Sequence, residues 1–138
     1  MRKKRFEEKI EYARERIGDL EDWLFQEDVQ ERKPFFASEK AFQELVESLS
    51  DIFAMLLSDL NFGIKDDYSN IEKLKEKNIL SNEHANTASE SNGLRNRIVH
   101  RYNSVDQKRF IESARELIPK ITQVLEHIKT FIDGHEDE

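Results

Sequence analysis

Phe6, Ile10, Ala13, Ile17, Leu20 and Leu24 recur at alternating spacings of four and three. That rhythm puts them on one stripe and predicts a first amphipathic helix from about residue 3 to 30. Lys33-Pro34 is expected to end the segment, because the residue before a proline is pushed out of helical geometry. Ser38 then reads as the cap of a second helix, from about 39 to 60. Its stripe of Phe42, Leu45, Val46, Leu49, Ile52, Phe53, Leu56, Leu57 and Leu60 is the most apolar in the chain and predicts a central position. Asn61-Phe62-Gly63 follows, with Gly63 suited to a left-handed cap.

Ser69 with Glu72 makes a capping-box pattern for a short third helix through Lys77, which buries Ile71 and Leu74. After a turn over Asn78 to Ser81, a fourth helix from about 82 to 101 has a different character. Its first part, His84 to Gly93, contains almost nothing large and apolar. Such a run allows close helix approach or lines a wet surface, and points to a face turned toward a partner or a cleft. Ser104 with Gln107 caps a last helix, about 105 to 132. Phe110, Ala114, Leu117, Ile118, Ile121, Val124, Leu125, Ile128 and Phe131 form its apolar stripe, with Pro119 as a candidate bend. The pattern predicts an all-α fold, an antiparallel bundle of four long helices plus one short one. Residues 1–132 form its single domain and 133–138 a frayed acidic tail.

Composition agrees. A chain of 138 residues with 37% charged residues, four Gly and two Pro favours long helices over sheet. The absence of Cys excludes disulfides, thiolate metal sites and a Cys nucleophile. Glu7 and Glu8 follow the basic start Met1 to Arg5 where a signal peptide would turn apolar, so a soluble cytoplasmic protein without a membrane partner is expected. The net charge of −7 argues against a general nucleic-acid coat and gives no reason to expect a DNA partner.

One segment departs from this acidic average. Arg95, Asn96, Arg97, His100, Arg101 and Tyr102 fall within eight residues, and Asp106 is the only acid between Arg95 and Gln107. A basic cleft on an acidic body is the expected picture. Arg carries a permanent charge and a planar fork of donors for phosphate. His exchanges a proton near neutral pH, as attack by a ribose hydroxyl on its own phosphate requires. Arg with His is therefore a metal-free set for cleaving RNA. The plain alternative is a basic helix end opposite the negative pole of the helix dipole. Helix geometry adds a constraint: Asn96 and His100 share a face, but Arg95 and His100 lie about 140° apart. Both reach one phosphate only if the helix loosens near His100 or the site forms between two subunits.

The stretch Gly93-Leu94-Arg95-Asn96-Arg97-Ile98-Val99-His100-Arg101-Tyr102 resembles the Gly-hydrophobic-Arg-Asn-x-hydrophobic-Val-His-x-Tyr signature of HepT-like proteins, of the HEPN superfamily of prokaryotic toxin ribonucleases. The similarity extends upstream through Ser69 to Leu74 and Lys77 to Leu80, and downstream through Val105 and Asp106. The resemblance implies a homodimer with the motif at its two-fold interface, and a metal-independent endoribonuclease acting on RNA as the toxin of a toxin–antitoxin pair. Arg95, Asn96 and His100 become the catalytic set, with Arg97 and Arg101 as phosphate contacts. Tyr102 becomes the residue to which a nucleotidyltransferase antitoxin adds AMP. No cofactor and no metal are implied. Arg101 departs from the acidic residue carried by many relatives, which puts partner fit in doubt. A catalytically silent HEPN module that binds a nucleotide or a nucleotidyltransferase stays open beside this reading, as does a purely structural bundle.

Other residues read as background. His84, His127 and His135 each stand alone, and none has Glu three residues before it, so the Glu-x-x-His pattern of di-iron bundles is absent. Trp23 reads as a packing residue, Met1 to Lys4 as a solvated terminus, and Glu7-Glu8 and Asp66-Asp67 as surface charge.

Overall fold

The computed structural model describes residues 1–100 and 107–137, with His100 described through its backbone only. Five helices and no strand occur among the described residues: α1 (Lys3–Trp23), α2 (Arg32–Asp59), α3 (Asp67–Glu76), α4 (Asn82–His100) and α5 (Gln107–Asp133). The all-α expectation of four long helices and one short one holds. The expected stripes are the core: all six apolar residues of the α1 stripe are buried, as are all but Leu60 in α2 and all but Phe131 in α5. Those two are partly buried and pack against the core.

The differences lie at the helix ends. α1 stops at Trp23 because the apolar stripe stops at Leu24. Beyond it the chain runs through short turns, with Val29 N–H donating to Gln26 O at 3.3 Å and Glu31 N–H to Asp28 O at 2.9 Å. Pro34 terminates nothing. It sits in the first turn of α2, where a missing N–H has no helical acceptor to lose. Extended Glu31 precedes that turn, and Ser38, expected as the cap, is buried inside the helix. The left-handed residue after α2 is Asn61 (φ 63°), not Gly63. At that position Phe62 N–H reaches back to Leu57 O at 2.8 Å. α3 is capped by Asp66, whose carboxylate accepts from the Ser69 N–H at 2.9 Å, so Ser69 is the donor of the cap.

The small residues of α4 face inward. Ala85, Thr87, Ala88, Ser91 and Asn92 are buried, and the helix packs against α5, α3 and α2. Their size serves close approach within the bundle, not a wet face, and leaves α4 with little apolar contrast between its sides. Ser91 satisfies its hydroxyl on Thr87 O at 2.7 Å, one turn back. Pro119 lies at an exposed position within the continuous run of α5. The edge-on rings Phe35–Phe110 (5.7 Å) and Phe42–Phe110 (5.8 Å) lock the start of α5 onto the first turns of α2.

The opposite end of the bundle holds both termini. The Met1 amino group donates to Glu136 O at 2.7 Å and Lys3 N–H to the Asp137 carboxylate at 3.1 Å. Arg2 binds Asp59 through Nε at 3.0 Å and through a terminal nitrogen at 2.6 Å. The basic start is thus an anchored strap across the ends of α2 and α5, not a solvated terminus.

Candidate active site

Arg95 lies five residues before the end of α4, and the bundle closes around it from two other helices. One terminal nitrogen of its guanidinium donates to Asp67 Oδ2 at 3.2 Å and to Asn92 Oδ1 at 3.3 Å. The other lies 3.9 Å from Glu47 Oε1 on α2. Only 18% of the Arg95 side chain is exposed. Asp67 opens α3 and Asn92 precedes Arg95 by three residues on the same helix, so the capping turn of α3 and one turn of α4 jointly fix the guanidinium.

Charge in space differs from charge along the sequence. The run from Arg95 onward is nearly free of acids, but α2 and α3 bring Glu47 and Asp67 onto Arg95. The expected basic cleft is therefore corrected at this residue: the Arg95 guanidinium sits in an acidic clamp. Two buried donors here, Arg95 Nε and Asn92 Nδ2, have no acceptor within hydrogen-bond reach among the described residues. Unpaired buried donors are uncommon and cost stability, and an oxygen-rich group could satisfy both.

Of the other motif residues, Asn96 is half-buried and Arg97 exposed. Val99 is an exposed apolar side chain one turn beyond Arg95. His100 closes α4 through its backbone, and its side chain, like Arg101 and Tyr102, lies outside the described residues. The expected cap Ser104 with Gln107 falls partly there too.

Four residues around Arg95 escaped the sequence reading. Glu47, Asp67 and Asn92 belong to no local motif, and Asp67 reads in the sequence as surface charge. Tyr68, an exposed aromatic, lies against the same helix: a Cβ on Gly93 would meet its hydroxyl at 3.8 Å. No signal short of a three-dimensional arrangement joins them to the motif.

The histidines are corrected as well. The His84 and His127 rings meet at a tilt of 49° with centroids 4.7 Å apart, and His127 Nε2 lies 2.7 Å from Ile79 O. Burial, and then the neighbouring His127, hold the His84 imidazole below its usual range. Trp23, read as a packing residue, is 37% exposed at the end of α1. No group of three or more His, Asp or Glu side chains among the described residues is arranged to hold a metal ion. No helix among them is long and apolar enough to cross a membrane.

A five-helix bundle with this order of elements is the fold of HEPN proteins. The structure superimposes with a TM-score of 0.83 on a tri-AMPylated Shewanella oneidensis HEPN toxin solved in complex with an MNT antitoxin. The match covers 91% of this chain and 96% of that one at 16% identity. In sequence, the chain is 38% identical over 135 residues to an Archaeoglobus fulgidus protein named "Putative RNase", covering 96% of this chain and 97% of the relative. A second A. fulgidus protein of the same name is 33% identical over 124 residues, covering 90% of each. A family profile described as "Ribonuclease HepT-like" matches residues 7–128. The chain belongs to the HepT-like family.

Proposed function

We propose that this protein is a metal-independent RNA endoribonuclease, the toxin of a toxin–antitoxin pair, working as a homodimer. Arg95, Asn96 and His100 of two subunits would face one RNA linkage across a two-fold axis. The observation that supports this best is the state of Arg95: a guanidinium fixed by Asp67 and Asn92, with two buried donors beside it awaiting an oxygen acceptor. A preorganised cation of this kind stabilises charge that grows on a phosphoryl group in the transition state. Exposed Val99 on the outer side of α4 supplies an apolar contact for the second subunit.

In the reaction an imidazole of His100 takes the proton of a ribose 2′-hydroxyl. The oxygen attacks the adjacent phosphorus, the bond from phosphorus to the 5′-oxygen breaks, and that oxygen takes a proton from a His100 imidazolium of the dimer. The products are a 2′,3′-cyclic phosphate and a 5′-hydroxyl. The dimer resolves the angular problem of the motif, since Arg95 of one copy and His100 of the other need not share a helix face. Asn96, one turn before His100, orients its ring, and Arg97 and Arg101 hold flanking phosphates. End-group analysis of cleaved RNA tests the chemistry: cyclic phosphate ends are expected, and 3′-hydroxyl ends would refute this route.

Silencing follows at Tyr102. A nucleotidyltransferase partner would join the tyrosine oxygen to the α-phosphorus of ATP and release pyrophosphate. The added anion next to Arg95 and His100 would then exclude RNA. The related fold that carries AMP and binds an MNT antitoxin supports this reading. Co-expression with such a partner should add one or more adenylyl masses to the wild-type chain and none to Tyr102→Phe.

One observation favours a second reading, a silent HEPN module. Asp67 and Glu47 already engage the guanidinium ends that a phosphate would use. Nucleotide binding without RNA cleavage would select it.

A further inference from the structure

We propose that the outer stripe of α2 formed by Arg32, Phe36 and Lys40 is a binding platform for single-stranded RNA flanking the scissile linkage, an inference that rests on the ribonuclease reading.

The stripe is continuous with the site. Phe36 precedes Glu47 by eleven residues, which on a helix leaves the two about 20° apart and about 16 Å from each other along the axis. Glu47 is the α2 residue that meets Arg95, at 3.9 Å. Arg32 and Lys40, one turn to either side of Phe36, fall within about 40° of it on the wheel. A strand gripped at Arg95 and laid along this face covers about five nucleotides at a stacked spacing of about 3.4 Å before it passes Phe36.

The chemistry of the stripe suits RNA. Phe36 is a large aromatic left 42% exposed on a helix whose other apolar residues are almost all inside. The Arg32 guanidinium stands over its ring, 5.7 Å from the centroid, and the neighbouring Phe35 ring tilts against it at 5.9 Å. Phe35 in turn packs on buried Phe110, so the exposed ring is mounted on the core. Ring and guanidinium planes both stack unpaired bases without demanding a particular one. Arg32, Lys33 and Lys40 are exposed cations beside it. An apolar protein partner would have to strip water from those three charges, whereas a polynucleotide pairs them with phosphates. The acids nearest the path are occupied: Glu44 accepts from the Tyr12 hydroxyl and lies 3.8 Å from Arg16, and Glu47 accepts from Gln43 at 3.1 Å.

The test compares uncleavable 2′-O-methyl oligomers, a trinucleotide and a dodecamer, by fluorescence anisotropy on the full chain, beside cleavage of the matching ribo-oligomers. Phe36→Ala and Lys40→Ala should each weaken dodecamer binding about tenfold. Trinucleotide cleavage should stay unchanged, and Phe36→Trp should bind the dodecamer as the wild type does. The salt dependence of dodecamer binding should flatten by about one unit of slope in Lys40→Ala. Unchanged dodecamer affinity in both Ala variants would overturn the platform. So would a Phe36→Ala chain that loses its oligomeric state in sedimentation while keeping RNA affinity, because the patch would then be a protein interface. The two readings fail separately: if neither oligomer is cleaved but dodecamer binding still depends on Phe36, the nuclease reading falls and the platform stands.

Discussion

Arg95 on α4 and Asp67 on α3 meet at 3.2 Å, although 28 residues separate them. The contact ties the motif to the first turn of a short helix whose start is itself fixed by Asp66 on Ser69. Asp67 therefore acts as a positioning residue for the guanidinium, and its charge also competes with phosphate. Removing the side chain in Asp67→Ala should lower kcat about tenfold through misorientation. KM should fall at the same time, because a competing anion is gone. Asp67→Asn should restore most of kcat while keeping the lower KM. Steady-state kinetics on an oligoribonucleotide separates the two effects, and kcat and KM unchanged from wild type in both variants would remove Asp67 from the site.

Asp59 at the far end of α2 is the best-paired carboxylate near the termini. Burial pushes its pKa up, but hydrogen bonds and charge from Arg2, with the nearby amino terminus, outweigh that and hold it below the usual carboxylate range. Its side chain is 6% exposed, so Arg2→Ala leaves a buried charge short of partners. A loss of about 1 to 3 kcal/mol is expected, toward the low end because Arg2 itself meets solvent. The sign with pH follows from the lowered value. The contribution is present above the unfolded carboxyl range and disappears as pH falls through the folded one. Chemical denaturation of wild type and Arg2→Ala should thus differ at neutral pH and converge in acid.

How much of this was legible beforehand can be read from particular residues. The stripes of α1, α2 and α5 were legible because large apolar residues at helical spacing have one physical outcome. The start of α2 was not, because Lys33-Pro34 is compatible with an end or a first turn, and Phe35 on Phe110 decides between them. The inward face of α4 was obscured by its small side chains, whose burial depends on what packs opposite. Arg95 and its neighbours were legible as a motif. Its acidic clamp was not, since Glu47 and Asp67 come from distant turns of other helices.

His84, whose ring is tilted against that of His127, is expected to give the fold a pH dependence near neutrality. His84 is held below the value of 6.5 that an unperturbed imidazole shows, first by burial and then by His127. A depressed folded value means that the unfolded chain binds the proton more readily. Stability is therefore full above about 6.5 and is lost as pH falls through the folded value. His84→Gln should flatten the decline of Tm between neutral and mildly acidic pH. A Tm profile unchanged in slope would show that His84 does not contribute in this range.

The central claim is that Arg95 and His100 cleave RNA without a metal. The most direct measurement is cleavage of a labelled single-stranded RNA in excess EDTA by the unmodified wild-type chain, Arg95→Ala and His100→Ala, each checked for helicity by circular dichroism. The account predicts cleavage by the wild type that EDTA leaves unchanged, and a loss of at least about a hundredfold in each folded variant. Cleavage abolished by EDTA, or retained at the wild-type rate in both variants, would contradict it.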